Sequence, residues 1–168
     1  RRQRQMCIRD SVYIVPHPEK DENNYKWNWN TPLLVSPHNP KRLYYAAEYL
    51  FRSDDRGDSW RKISPDLTRQ IDRNQLEVMG RVWSVDTIAK NDSTSMFGSA
   101  IMISESELQE GLIYVGTDDG VLNITEDGGQ SWTQTTRFSD VPDMTYIDDV
   151  QASLCLLYTS PSPRDSFR

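Results

Sequence analysis

Hydrolysis of a glycosidic bond needs two carboxylates across a cleft, one acting as acid and the other as base or nucleophile. Among the 25 Asp and Glu of this 168-residue chain, Glu48, Asp86, Asp118 and Asp119 fall in strand-like or hairpin-like contexts. Asp86 lies in an alternating stretch, 82–89 (VWSVDTIA), and is the best single catalytic candidate; no complete pair can be assigned. Ligand stacking is the second chemistry on offer. In an extended chain the motif WNWN puts Trp27 and Trp29 on one side, with Asn beside them. That arrangement suits a sugar or a peptide side chain, and it suits packing against a neighbouring layer equally. His17 and His38 stand singly in Pro-flanked turns, PHP and SPHNP, which is no metal-ligand spacing. No metal or cofactor is therefore expected. Asn91 and Asn123 open glycosylation sequons that would matter only in a eukaryotic host.

Composition narrows the classes. The net charge is -6, which argues against a nucleic-acid binder with a basic face. No apolar run approaches the roughly 18 residues of a membrane-spanning helix. Five Trp, eight Tyr and four Phe argue against disorder. Yet hydrophobic residues make up only 36% and the mean hydropathy is -0.71, thin for a self-contained core. The two ends stand apart from the middle. Residues 1–11 (RRQRQMCIRDS) and 155–168 (CLLYTSPSPRDSFR) resemble translated sequencing-adaptor DNA read through at both ends of a fragment. Such segments are set aside from fold reasoning. They carry +3 and +1, so residues 12–154 have a net charge of -10, and they hold both cysteines, Cys7 and Cys155. The remainder offers no disulfide, zinc thiolate or thiol nucleophile.

The middle repeats itself. Residues 53–60 read SDDRGDSW and residues 125–132 read TEDGGQSW, both fitting [ST]-x-D-x-G-x-[ST]-W. At average residue usage five fixed positions coincide at roughly one site in a million, so two instances mark a repeat. Each box reads as a turn between strands. Gly57 and Gly129 supply positive φ. Asp55 and Asp127 accept N–H bonds across their own turns, aided by the hydroxyls of Ser53, Ser59, Thr125 and Ser131. Trp60 and Trp132 open the outgoing strand and bury between adjacent sheets. Before each box stands a hairpin pattern, RLYYAAEYLFR at 42–52 and LIYVGTDDGVLNI at 112–124. A leading strand is expected at 32–36 (PLLVS) for the first unit and at 82–89 for the second.

Four short strands per unit is the form of a propeller blade, which needs neighbours on both faces. The expected class is all-β, about two four-stranded blades with partial flanking blades. The division is then 12–31, the end of a preceding blade and a connector, with a last strand at 12–15. A blade at 32–64 and a connector at 65–80 follow. A second blade occupies 81–136, with a Ser-rich insertion at 91–110, and the start of a further blade occupies 137–154, with a first strand at 146–154. Inner strands line a propeller channel, which favours Asp86.

The boxes resemble the Asp-box, or BNR, repeat of sialidases, sortilin-type receptor domains and xyloglucan-cleaving propellers. NWNTPLLVSPHNPKRLYYA, SWRKISPDLT, LIYVGTDDGVLNITEDGGQSW and VPDMTYIDDVQAS are similar to large bacterial proteins of sortilin-like or glycosyl-hydrolase-like type. The resemblance implies a secreted or envelope-associated bacterial propeller that binds protein or glycan, with no nucleic-acid partner and no membrane span. Its rival is a glycoside hydrolase whose catalytic groups are shared with further blades. A sialidase of that family would need an arginine cluster, a Tyr nucleophile with its Glu partner, and an acid Asp. Arg52, Arg81 and Tyr44 or Tyr45 are present without a spacing that marks such a set.

Overall fold

The computed structural model describes residues 13–20, 22–92 and 96–152. The segments 1–11 and 155–168, with both cysteines, lie outside them. The described chain is all-β, its only helical piece a single 3₁₀ turn at Arg73–Gln75. Strands β1 (Leu33–Val35), β2 (Leu43–Ala46), β3 (Leu50–Ser53) and β4 (Arg61–Lys62) form one antiparallel sheet in sequence order. A two-residue-per-strand hairpin follows, β5 (Glu77–Val78) and β6 (Arg81–Val82). The second four-stranded sheet is again a meander, from β7 (Ala100–Glu105) through β8 (Ile113–Thr117) and β9 (Leu122–Thr125) to β10 (Thr133–Thr135).

Side chains alternate across a strand, so each sheet has two faces to cover. Tyr44, Ala46 and Leu50 turn one face of the first sheet toward Ala100, Ile113 and Val115 of the second. Leu67, from the connector, is fully buried in the same layer, and Trp132 packs against it. The opposite face of the first sheet is aromatic. Phe51 packs with Tyr25, while Trp27, Tyr49 and Trp60 lean on them. The far face of the second sheet, Tyr114 and Leu122, is covered by Phe138, Ile147 and Val150. Apolar residues are few, but the three layers share two sheets. Each fully buried large side chain contributes about 2 kcal/mol, so the sharing matters to the balance.

Three expected strands are corrected. Residues 82–89 supply no leading strand for the second sheet; only Arg81–Val82 is extended and paired, with β5, and turns follow. The leading strand is β7, inside the segment read as a Ser-rich insertion. It reads as a near-continuous apolar run because both its faces are covered, and alternation marks only a half-covered strand. Residues 13–15 and 146–152 form no strand; Val12, Ser153 and Leu154 lie outside the described residues.

Candidate functional site

Each repeated turn is a closed hydrogen-bond net. In the first, Ser53 Oγ donates to Asp55 Oδ1 at 2.7 Å and accepts from Gly57 N at 2.8 Å. Asp55 Oδ1 also accepts from Ser59 N at 2.9 Å, and the Ser59 hydroxyl donates to Oδ2. The second repeats this atom for atom. Thr125 Oγ1 donates to Asp127 Oδ1 at 2.8 Å and accepts from Gly129 N at 2.9 Å. Ser131 N donates to Asp127 Oδ1 at 2.9 Å, and its hydroxyl to Oδ2. Donors around a carboxylate favour its charged form. The Ser59 hydroxyl, then the Ser59 N–H and the Ser53 hydroxyl, hold the Asp55 carboxyl at about 2. Asp127 lies lower still, held by the Ser131 hydroxyl and N–H, the Thr125 hydroxyl and one further N–H, from Gln130.

The indoles reach backward along the chain. Trp132 Nε1 donates to the Ile63 carbonyl at 3.2 Å, just past β4 of the first sheet. Trp60 Nε1 donates to the Ile14 carbonyl at 2.5 Å. The glycines follow the same path, at φ 98° for Gly57 and 102° for Gly129. A Cβ on Gly129 would stand 2.6 Å from the Ile63 carbonyl oxygen, and one on Gly57 would stand 2.8 Å from the Ile14 Cβ.

Three of the four carboxylates singled out as catalytic candidates are occupied in holding backbone. Glu48, in the β2–β3 loop, accepts from Lys26 N at 2.6 Å. Asp119, in the corresponding β8–β9 loop and fully buried, accepts from Arg69 N at 2.7 Å and from the Thr117 hydroxyl. Asp118 accepts from Gly98 N at 2.9 Å and Ser99 N at 2.8 Å. Burial pushes the Asp118 carboxyl above its ordinary value, against the pull of the Ser99 and Gly98 donors. Asp86 stands exposed in a turn rather than on an inner strand, which removes the ground for choosing it.

The arginines and tyrosines are likewise engaged. Tyr44 faces Arg52 across the β2/β3 register, is fully buried, and donates to Glu105 Oε1 at 3.2 Å. Burial, with the Glu105 charge beside it, pushes the Tyr44 hydroxyl up to about 12. Arg52 and Arg42 pair with Asp54 at 2.9 Å and 2.8 Å, and Arg42 also binds Glu110. Arg81 sits on the separate hairpin with its guanidinium 3.3 Å over the Trp83 ring. Tyr45 stacks on Trp27 at 4.9 Å. Glu105 is a buried carboxylate that the sequence does not flag, because it ends an apolar strand inside the supposed insertion. Its Oε2 meets no donor among the described residues.

The tryptophan platform divides. Trp27 packs into the aromatic layer, whereas Trp29 is 78% exposed in a turn. Its neighbour Asn28 is tied to the Ser99 hydroxyl at 3.0 Å. His38 Nε2 lies 2.7 Å from the Ser106 carbonyl, so that nitrogen carries the proton. Among the described residues no group of His, Cys, Asp or Glu could hold a metal ion. Asn123 is fully buried and donates to the Leu67 carbonyl at 2.9 Å, which keeps its sequon out of reach in the folded chain. A cavity of about 750 Å³ opens beside the second sheet, lined by Leu122, Phe138, Val141, Met144, Tyr146 and Ile147 among others. The cavity combines apolar and aromatic lining with two carboxylates, Asp148 and Asp149, both from the segment that follows β10. No helix among the described residues is long and apolar enough to cross a membrane. Comparison of the chain with protein-family models and with curated proteins gave no match.

Proposed function

We propose that this chain is a piece of a multi-bladed β-propeller of the Asp-box type, acting as a binding scaffold for protein or glycan outside the cytoplasm of a bacterium. One observation carries the reading. The candidate carboxylates in the loops of the two sheets, Glu48, Asp118 and Asp119, are committed to backbone donors of their own chain, and Asp86 lies exposed in a turn. A group that holds its own loop is not free to transfer a proton to a substrate. What remains outward-facing is contact surface, with Trp29 its most exposed indole.

Arrays of polysaccharides and extended peptides test this on the full chain. Binding that falls at least tenfold in Trp29→Ala, with no new reducing ends, is the expected result. Release of reducing ends that disappears in Asp86→Asn would overturn it in favour of a glycoside hydrolase.

A further inference from the structure

Between the two four-stranded sheets the chain makes an excursion whose ends are pinned at one place. Arg69 N donates to Asp119 Oδ2 at 2.7 Å where the excursion starts. Gly98 N and Ser99 N donate to Asp118 Oδ1 at 2.9 Å and 2.8 Å where it returns. Two adjacent carboxylates of the β8–β9 loop thus hold both ends of one arm, residues 70–97. No described residue of the arm is buried. Its hairpin, β5 and β6, pairs with no other strand among the described residues.

The arm carries its apolar side chains on the outside. Met79, in the hairpin turn, and Ile88 are each 95% exposed, and Val78, Val82 and Val85 are at least half exposed. Apolar residues gathered in this way on one exposed segment mark an interaction site. Arg81 stands two positions after Met79 with its guanidinium over the Trp83 ring. It takes part in none of the ion pairs among the described residues. The hairpin is therefore an apolar knob with a positive charge beside its tip.

The 750 Å³ cavity beside the second sheet is its complement. Leu122, Phe138, Tyr146 and Ile147 give it apolar and aromatic walls, and Asp148 and Asp149 add two negative charges. Neither carboxylate enters an ion pair among the described residues, whereas Arg137, also in the lining, is paired with Asp143 at 3.8 Å. None of the lining residues comes from the arm. A cavity of this volume has room for a small ligand or a few side chains.

We propose that the two features meet between molecules. The hairpin of one copy of this chain seats Met79 in the cavity of a second copy and sets Arg81 beside Asp148 and Asp149. Charge complementarity chooses the occupant: an apolar seat with a negative edge accepts an apolar knob with a positive charge, and this chain carries that knob itself. Apolar contact supplies the affinity, and the charges fix the register. Each copy carries one knob and one seat, so a two-fold pair fills both. The inference is separate from the scaffold reading, since a chain that binds no glycan can still pair in this way.

Sedimentation velocity of the full chain over a rising concentration series tests it. Reversible association to a dimer is expected. Met79→Asn removes the apolar side chain and suits the φ of 55° at that position; it is expected to weaken association about tenfold. Arg81→Glu, and the double change Asp148→Arg with Asp149→Arg, lie at exposed positions and are each expected to weaken it as well. Mixed in equal amounts, these two charge variants are expected to associate again, because each knob then faces a seat of opposite charge. Circular dichroism checks that every variant keeps the fold, and Met79→Asn decides alone where a charge variant does not. An unaltered chain that stays monomeric at every concentration overturns the proposal. So does undiminished association of Met79→Asn, or a mixture of folded charge variants that associates no more tightly than either alone. Loss of glycan binding by itself strikes the scaffold function and leaves this inference standing.

Discussion

Behind the second repeated turn stands a sheet; behind the first stands one extended segment. The inner nets are alike to within about 0.1 Å in their shared bonds, so the turn chemistry is the same. The surroundings differ. Trp132 belongs to the layer shared by both sheets, whereas Trp60 leans on an aromatic layer to which the chain leading into β1 contributes Tyr25 and Trp27. Gly129 faces a backbone carbonyl just past a paired strand, Gly57 the side chain of Ile14. Thus the turn closes itself, and the neighbour behind it decides how much stability the closure delivers.

The largest expected effect breaks that contrast at the glycines. Gly129→Ala meets a carbonyl that cannot yield and a φ that L residues avoid. It should cost about 4 kcal/mol in urea unfolding, against about 2 kcal/mol for Gly57→Ala, where Ile14 can turn aside. Equal losses would show that the extended segment holds as firmly as the sheet. Next come the indoles. Trp132→Ala should cost about 3 kcal/mol and Trp60→Ala about half of that, measured as the shift in urea midpoint at constant slope.

A smaller effect separates the turn tips. Arg56 sits at φ 68° where the second turn has Gly128 at φ 71°. Arg56→Gly relieves a left-handed residue and should add about 0.5 kcal/mol, less than the strain relieved because Gly loosens the unfolded chain. A loss of stability would mean that the Arg56 side chain holds something its strain conceals. The smallest effect is acid titration. Both carboxyls are depressed, so their contribution is complete above the unfolded value near 4 and fades as pH falls through the folded one. For Asp55 the folded carboxyl titrates at about 2, so the loss runs from near 4 down to that value, and for Asp127 it extends lower. Carboxyl NMR shifts during acid titration should therefore move first at Asp55. Replacing Gln130 by Pro, which removes the extra N–H, should bring the two closer; an unchanged gap would locate its cause elsewhere.

Much of this is legible in the sequence. The turns declare their roles because each needs a carboxylate, a small hydroxyl and a Gly at fixed offsets, and only those residue types close the net. The hairpins around Tyr44 and Tyr114 are readable because their apolar residues are bounded by clear turn signals. β7 is not, since AIMISE lies beneath cover on both faces and lacks the alternation that marks a half-covered strand. VWSVDTIA has the alternation but little around it to pack on, and its Val85 and Ile88 stay exposed. The carboxylates mislead for another reason. A sequence shows that Glu48 and Asp119 sit in loops, but not that the connector's N–H groups come to meet them.

The backward reach of the indole has a consequence for how such a chain can change its length. The second unit gives its indole N–H to a carbonyl of the first, and the first gives its own to the segment that precedes it. Tandem duplication of a whole unit would insert a new piece without altering the chemistry of either seam. A duplication out of phase would part a tryptophan from its carbonyl and leave both groups without a partner. For this junction, a whole unit is the increment that leaves the indole and its carbonyl together.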